Sequence, residues 1–245
     1  MNEKTLENMK KMKLNGMHRA FKTSIDSGKM EDYTTDEMVA TLVQSELDDR
    51  HNRGIQRQLT NAKFRYKASI EEINYGTDRN LDKNQLMRFG DCNFIGKNEN
   101  ILITGSTGIG KSYIASAIGH QACSLGHKVI YHNTAKLMGK LKIAKGEGSY
   151  MKEVAKIERQ SLLILDDFGL QPFDSQSRAM LMEIIEDRHG KGSTIITSQV
   201  PVKEWYDIIG EQTVADAIMD RLIHQAHRLE IKGESMRKKA AKIAA

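Results

Sequence analysis

The sequence predicts an α/β domain with a mainly parallel, five-stranded sheet between helices, preceded by a small helical segment. Three observations carry this. Short apolar runs alternate with helical periodicity from about residue 69 onward. The run ILITGSTGIGKS, residues 101–112, joins a strand pattern to a glycine-rich turn and the start of a helix. The run SLLILDDFG sets four apolar residues ahead of two adjacent aspartates, the pattern of a strand buried on both faces.

Taken from the start, Leu14, Met17, Phe21 and Ile25 recur at spacings of three and four, with Leu6 and Met9 extending them, and make one apolar helical face. Thr34 to Glu37 reads as a capping box, with Thr34 capping the backbone and Glu37 reaching back, ahead of Met38, Val39, Leu42, Val43 and Leu47. On the continuation of this second amphipathic helix, Arg50, Arg53 and Arg57 form a cationic stripe, followed by Lys63, Arg65 and Lys67. Two helices bury little alone. Residues 1–68 are therefore expected to form a helical domain that packs on a neighbour, either the larger domain at 69–245 or another subunit. In the larger domain the expected strands are 101–104, 128–132, 162–166, 194–198 and 228–231, with helices at 112–123, 175–187 and 214–224.

Gly105, Gly110, Lys111 and Ser112 match G-x-x-x-x-G-K-[ST] in its proper strand-to-helix setting. Glycines let backbone N–H groups close around phosphate, and the helix start adds its positive dipole end. Lys111 then supplies charge to the β- and γ-phosphates, and the Ser112 hydroxyl is a ligand for Mg²⁺. The strand before Asp166 and Asp167 delivers both to its C-terminal end, where ligands of parallel sheets bind. Asp166 is read as the Mg²⁺-organising carboxylate and Asp167 as the group that orients or deprotonates water. Two adjacent buried carboxylates repel without a cation, which itself argues for a metal. Asp167-Phe168-Gly169 also spells a protein-kinase signature, but no HRD loop accompanies it. Asp166 to Gly169 fits the D-x-x-G of GTPases, yet no N-K-x-D is present, so ATP is the expected nucleotide.

Composition narrows the setting. With 39% hydrophobic and 28% charged residues among 245, and no run of about 18 apolar residues, the chain reads as soluble with no membrane association. Its charged N-terminus lacks a signal-peptide pattern, and its two cysteines, Cys92 and Cys123, make neither a disulfide framework nor a zinc motif. A cytoplasmic setting fits these features. The net charge of +5 arises in the C-terminal tail, where residues 221–245 carry seven Lys or Arg against two Glu. Such a tail either attracts nucleic acid or simply aids solubility.

GSTGIGKS, LLILDDFG, TIITSQVPVKEW and DAIMDRLIHQAHRLEIKGESMR together resemble, over nearly the whole chain, the IstB/DnaC-like ATPases, an AAA+ branch close to the replication initiator DnaA. Order and spacing look most like the IstB members, helper ATPases of insertion-sequence transposases. The resemblance implies an AAA+ P-loop core that binds ATP through Gly105, Ser106, Thr107, Gly108, Ile109, Gly110, Lys111, Ser112 and Tyr113, with Mg²⁺ on Ser112 and Asp166. With a strand inserted between the glycine-loop strand and the acidic one, Gln199 at the tip of STIITSQ would reach the γ-phosphate. Arg221 matches the arginine finger that AAA+ subunits send into a neighbour, although it also fits a surface arginine on an amphipathic helix. Arg237 matches a second arginine sensor. Two departures weaken the carry-over: the chain leaves no room for the usual C-terminal lid, and Asp167 stands where most AAA+ proteins have a longer Glu.

The implied partners are double-stranded DNA, an IstA-like transposase and further copies of the chain. Lys140, Lys142 and Lys145 in GKLKIAKGEG are expected to form a basic loop, and Arg50, Arg53 and Arg57 a second basic surface, both suited to sequence-tolerant phosphate contact. Each is equally accounted for by a solvated surface. Three alternatives remain open at this level: a DnaC-type helicase loader, a small-molecule P-loop kinase, and a DNA-binding scaffold that hydrolyses nothing.

Overall fold

The computed structural model describes residues 2–28, 32–76 and 79–236. The chain divides into two compact units, Met1–Arg57 and Gln58–Ala245. This division falls some ten residues before the position near 68 that periodicity marked. The reason is packing: Ala62 and Ala68 are buried in the second unit's core, with Leu59, Phe64 and Tyr66 against it.

The first unit holds α1 (Asn2–Lys11), α2 (Asn15–Asp26) and most of α3 (Thr35–Ala62). The capping box forms as expected, with Thr34 N–H donating to Glu37 Oε2 at 2.8 Å and Glu37 N–H to Thr34 Oγ1 at 3.3 Å. Buried Glu46 of α3 accepts from Gly16 N–H at 2.8 Å, placing a carboxylate at the positive end of α2. Arg50 donates to the same carboxylate and is the main cause of its lowered pKa. The apolar face of α3 is only partly covered: Met38 and Leu42 are half-buried, whereas Val39, Val43 and Leu47 are 55%, 43% and 56% exposed.

The second unit is a five-stranded, wholly parallel sheet in the order β2-β3-β4-β1-β5. Its strands are β1 (Asn100–Gly105), β2 (Val129–Asn133), β3 (Leu162–Phe168), β4 (Ser193–Ser198) and β5 (Ala226–Ile231), each within a few residues of its expected position. β4 lies between β1 and β3, so the strand expected to be inserted there is. One core packs α4 (Lys83–Gly90), α5 (Asn93–Gly96) and α6 (Lys111–Ser124) on one face of the sheet. Another packs α7 (Thr134–Gly146), α8 (Tyr150–Glu158), α9 (Ser175–Arg188), α10 (Trp205–Ile209) and α11 (Gln212–Ile223) on the opposite face. Cys92 and Cys123 are free and buried, their thiols pushed up to about 12 by burial.

The segment expected as a basic loop is the helix α7, a correction to the sequence reading. Its buried residues Leu137, Met138, Leu141 and Ala144 follow helical spacing, and this inward stripe overrides the glycines and lysines that suggested a loop. Among the described residues no helix is long and apolar enough to cross a membrane.

Candidate nucleotide site

The glycine-rich turn joins β1 to α6 at the C-terminal end of the sheet. Gly110 begins the helix with φ +97°, where a side chain would be strained, and a Cβ there would lie 3.1 Å from Arg79 Nη2. The backbone of this turn is held from outside: Arg79 donates to Ile109 O, and Met236 N–H donates to Gly108 O at 2.9 Å. Lys111 is buried, and its Nζ donates to the carbonyls of Gly105 at 2.7 Å and Ser106 at 2.8 Å. Burial pulls its ammonium below the ordinary value, while Asp167 and Asp166 pull it the other way.

The acidic pair sits where β3 is irregular. The register with β4 slips between Leu165 and Phe168, and Asp167 has φ +57°. Such a bulge re-aims a side chain. Phe168, fully buried 4.7 Å from the Trp205 ring and 5.3 Å from Phe173, pins the strand end beyond it. Asp166 is fully buried; its Oδ1 accepts from Ser112 Oγ at 2.7 Å and from Thr197 Oγ1, and its Oδ2 from Tyr131 and, at 3.3 Å, Arg65. Asp167 Oδ2 accepts from Arg65 at 3.1 Å and Asn133 Nδ2 at 3.0 Å. Gln199, just after β4, accepts from Thr107 in the turn.

Lys111, Ser112, Asp166, Asp167, Thr107 and Gln199 therefore lie together at the C-terminal end of the sheet. All but the fully buried Asp166 border a cavity of about 420 Å³ whose other walls include Tyr66, Ile73, Asn74, Arg79 and Tyr113. Ser112 Oγ and Asp166 Oδ1 are hard oxygen donors beside one another, a set that fits Mg²⁺, which takes one or two protein ligands and completes its shell with phosphate and water. Lys111 and the turn's N–H groups fit a polyphosphate. Sequence reasoning missed Tyr131, Asn133, Arg79 and the role of Arg65. None belongs to a motif; only the position of Tyr131 and Asn133 at the end of a strand parallel to β3 could have signalled them.

Arg221 is not part of this cluster. Near the end of α11, its carbonyl accepts from Asn100 Nδ2 at 3.3 Å, which places it at the start of β1, roughly 16 Å of strand from the glycine turn. Its guanidinium pairs with Glu186 and donates to Ala217 O at 2.9 Å. Arg237 lies outside the described residues. Of the proposed DNA contacts, Lys140 pairs with Glu153 and Lys142 with Asp174, while Arg50 and Arg53 pair with Glu46 and Asp49 along α3. Hydrogen bonds from Lys140 and Lys156 hold the Glu153 carboxyl at about 2. Among the described residues, exposed Lys145 and Arg57 have no ion-pair partner.

Sheet order, glycine-rich loop and acidic strand end define a protein with the AAA+ P-loop fold. Within that class the chain belongs to the IstB-like ATP binding protein family, which it matches over residues 7–244. It is 41% identical over 234 residues to an insertion sequence ATP-binding protein of Sinorhizobium fredii, an alignment covering 96% of each chain. It is 35% identical over 202 residues to the ATP-binding protein of insertion sequence IS1162 of Pseudomonas fluorescens, covering 82% of this chain and 87% of that one. Among solved structures it is similar to the DnaC helicase loader, with TM-score 0.58 and 21% identity over 68% of this chain and 98% of that one. It is also similar to AMPPCP-bound DnaA from Aquifex aeolicus, with TM-score 0.59 and 20% identity over 74% and 56%. These two likenesses concern the fold.

Proposed function

We propose that this protein hydrolyses ATP in a Mg²⁺-dependent manner, assembles with copies of itself on duplex DNA, and recruits or stimulates the transposase of its insertion sequence. The observation that carries the nucleotide part is that Lys111, Ser112 and Asp167 line one cavity, with the buried Asp166 hydrogen-bonded to Ser112. The insertion-sequence relatives support the setting.

The chain's own groups divide the work. Lys111 transfers its donors from the turn's carbonyls to phosphate oxygens. Ser112 and Asp166 hold Mg²⁺, which when bound neutralises charge on the β- and γ-phosphates. Asp167 accepts a proton from, or orients, the attacking water, and Asn133 steadies it. Gln199, tied to Thr107, reads the terminal phosphate. Arg221 serves a neighbouring subunit, consistent with its distance from its own chain's cavity. Val39, Val43 and Leu47 offer an apolar stripe for self-association. Lys145, Arg57 and the basic C-terminal tail supply cations for phosphate backbone, and Arg237 is a second sensor for bound nucleotide.

The decisive measurement is ATP turnover with and without duplex DNA. Lys111→Ala is expected to abolish it; an unchanged rate would refute the assigned site. Stronger binding to single-stranded than to duplex DNA would instead favour a helicase loader.

A further inference from the structure

We infer that Arg65 is a positioning residue for the acidic pair: a cation supplied by the chain itself, which Mg²⁺ must displace before Asp166 and Asp167 can serve a nucleotide. This rests on the ATP reading above and adds a residue and a metal dependence to it.

One nitrogen, Arg65 Nη1, bridges the two carboxylates at 3.3 Å and 3.1 Å. The other partners of these carboxylates, namely Ser112, Thr197, Tyr131 and Asn133, are all neutral. Lys111 spends its Nζ on carbonyls. Among the described residues Arg65 is thus the one cation hydrogen-bonded to the pair. Two adjacent carboxylates, one fully buried, need such a charge. A divalent cation would meet the same need on the same residues, so the guanidinium and Mg²⁺ compete.

The surroundings permit exchange without unfolding. The backbone on either side of Arg65 is anchored: the Phe64 ring stacks on His120 at 4.4 Å, and Tyr66 O lies 3.1 Å from His120 Nε2. The Arg65 side chain is 42% exposed, and its guanidinium carbon lies 5.5 Å from the Tyr66 ring centroid. That ring offers it a second resting place once the carboxylates are taken. Its length and its position on the cavity wall let the side chain move while the backbone stays.

The test uses the full chain and mant-ATP, comparing the parent with Arg65→Gln, Arg65→Met and Arg65→Lys. Affinity is measured in EDTA and across a Mg²⁺ titration, with thermal melts to verify folding. Both neutral variants are expected to lower the Mg²⁺ concentration for half-maximal effect by about tenfold, the scale of one charge-assisted contact discounted for exposure. Arg65→Lys should stay within about threefold of the parent, because charge is retained, and affinity in EDTA gives the metal-free baseline from which each Mg²⁺ midpoint is read. A Mg²⁺ midpoint that is unmoved or raised, with binding intact, overturns this inference alone. A parent chain that binds no mant-ATP at any Mg²⁺ concentration overturns the ATP reading and this inference with it.

Discussion

At the scale of single residues, Asp167 has a left-handed backbone and carries the proposed role of organising water. Asn tolerates that conformation nearly as well as Asp does, so Asp167→Asn removes the charge with little added strain. It is expected to keep nucleotide affinity while turnover falls by roughly 10² or more, read from parallel binding and phosphate-release assays. His132, on β2, is half-buried, and burial first, then the charges of Lys140 and Lys63, lowers its pKa to about 4. The folded chain therefore binds fewer protons here than the unfolded chain, whose histidine titrates near 6.5. Stability should be intact above that value and fall as pH drops from about 6.5 toward 4. Urea midpoints across this range, with His132→Gln as comparison, should show a shallower loss in the variant. Lys111 and Ser112 were legible because their motif spacing encodes phosphate geometry, and Asp166 because an apolar strand delivers it to the sheet's C-terminal end. Arg65 and Tyr131 were not, because each reaches the site through tertiary folding from a segment with no local signature.

At the scale of elements, α6 must approach β3 and the irregular segment carrying Phe64 very closely. A Cβ at Gly119 would come within 2.5 Å of Phe64 Cε1 and 2.8 Å of Ile164 Cδ1. Gly119→Ala is thus expected to destabilise the second unit by about 1–3 kcal/mol despite raising helix propensity, measurable by denaturant unfolding. The strands and the helices at 112–123, 175–187 and 214–224 were readable because short apolar runs alternated with helical periodicity. The helix α7 was not, since Gly139, Gly146 and three lysines masked a buried stripe. Placing those lysines on a helix changes what they do. Lys140 and Lys142 are neutralised by Glu153 and Asp174, so Lys145→Ala should weaken DNA binding more than Lys140→Ala, and should make the salt slope shallower by about one.

For the molecule as a whole, the expectation is that neutralising about six phosphates gives a slope of log K against log salt near −5. A flat response would remove backbone contact from the proposal. The separation of Arg221 from its own cavity makes a second prediction at this scale. Turnover per chain should rise with protein concentration, and Arg221→Ala should flatten that dependence while lowering the rate by about 10³ or more. Equal rates at all dilutions would argue for a self-sufficient subunit. The motif and its resemblance pointed to this residue, but only the fold places it at the far end of β1, near the Glu186 carboxylate.

If copies assemble as proposed, that placement gives each one a direction. Where a donor at one end of the sheet meets an acceptor at the other head to tail, an open assembly has two unlike extremities. A subunit with a dead acceptor could still add by its donor, yet nothing productive could form on its other side. Traces of Lys111→Ala in a mixture would then act as one-sided terminators, silencing more sites than their mole fraction.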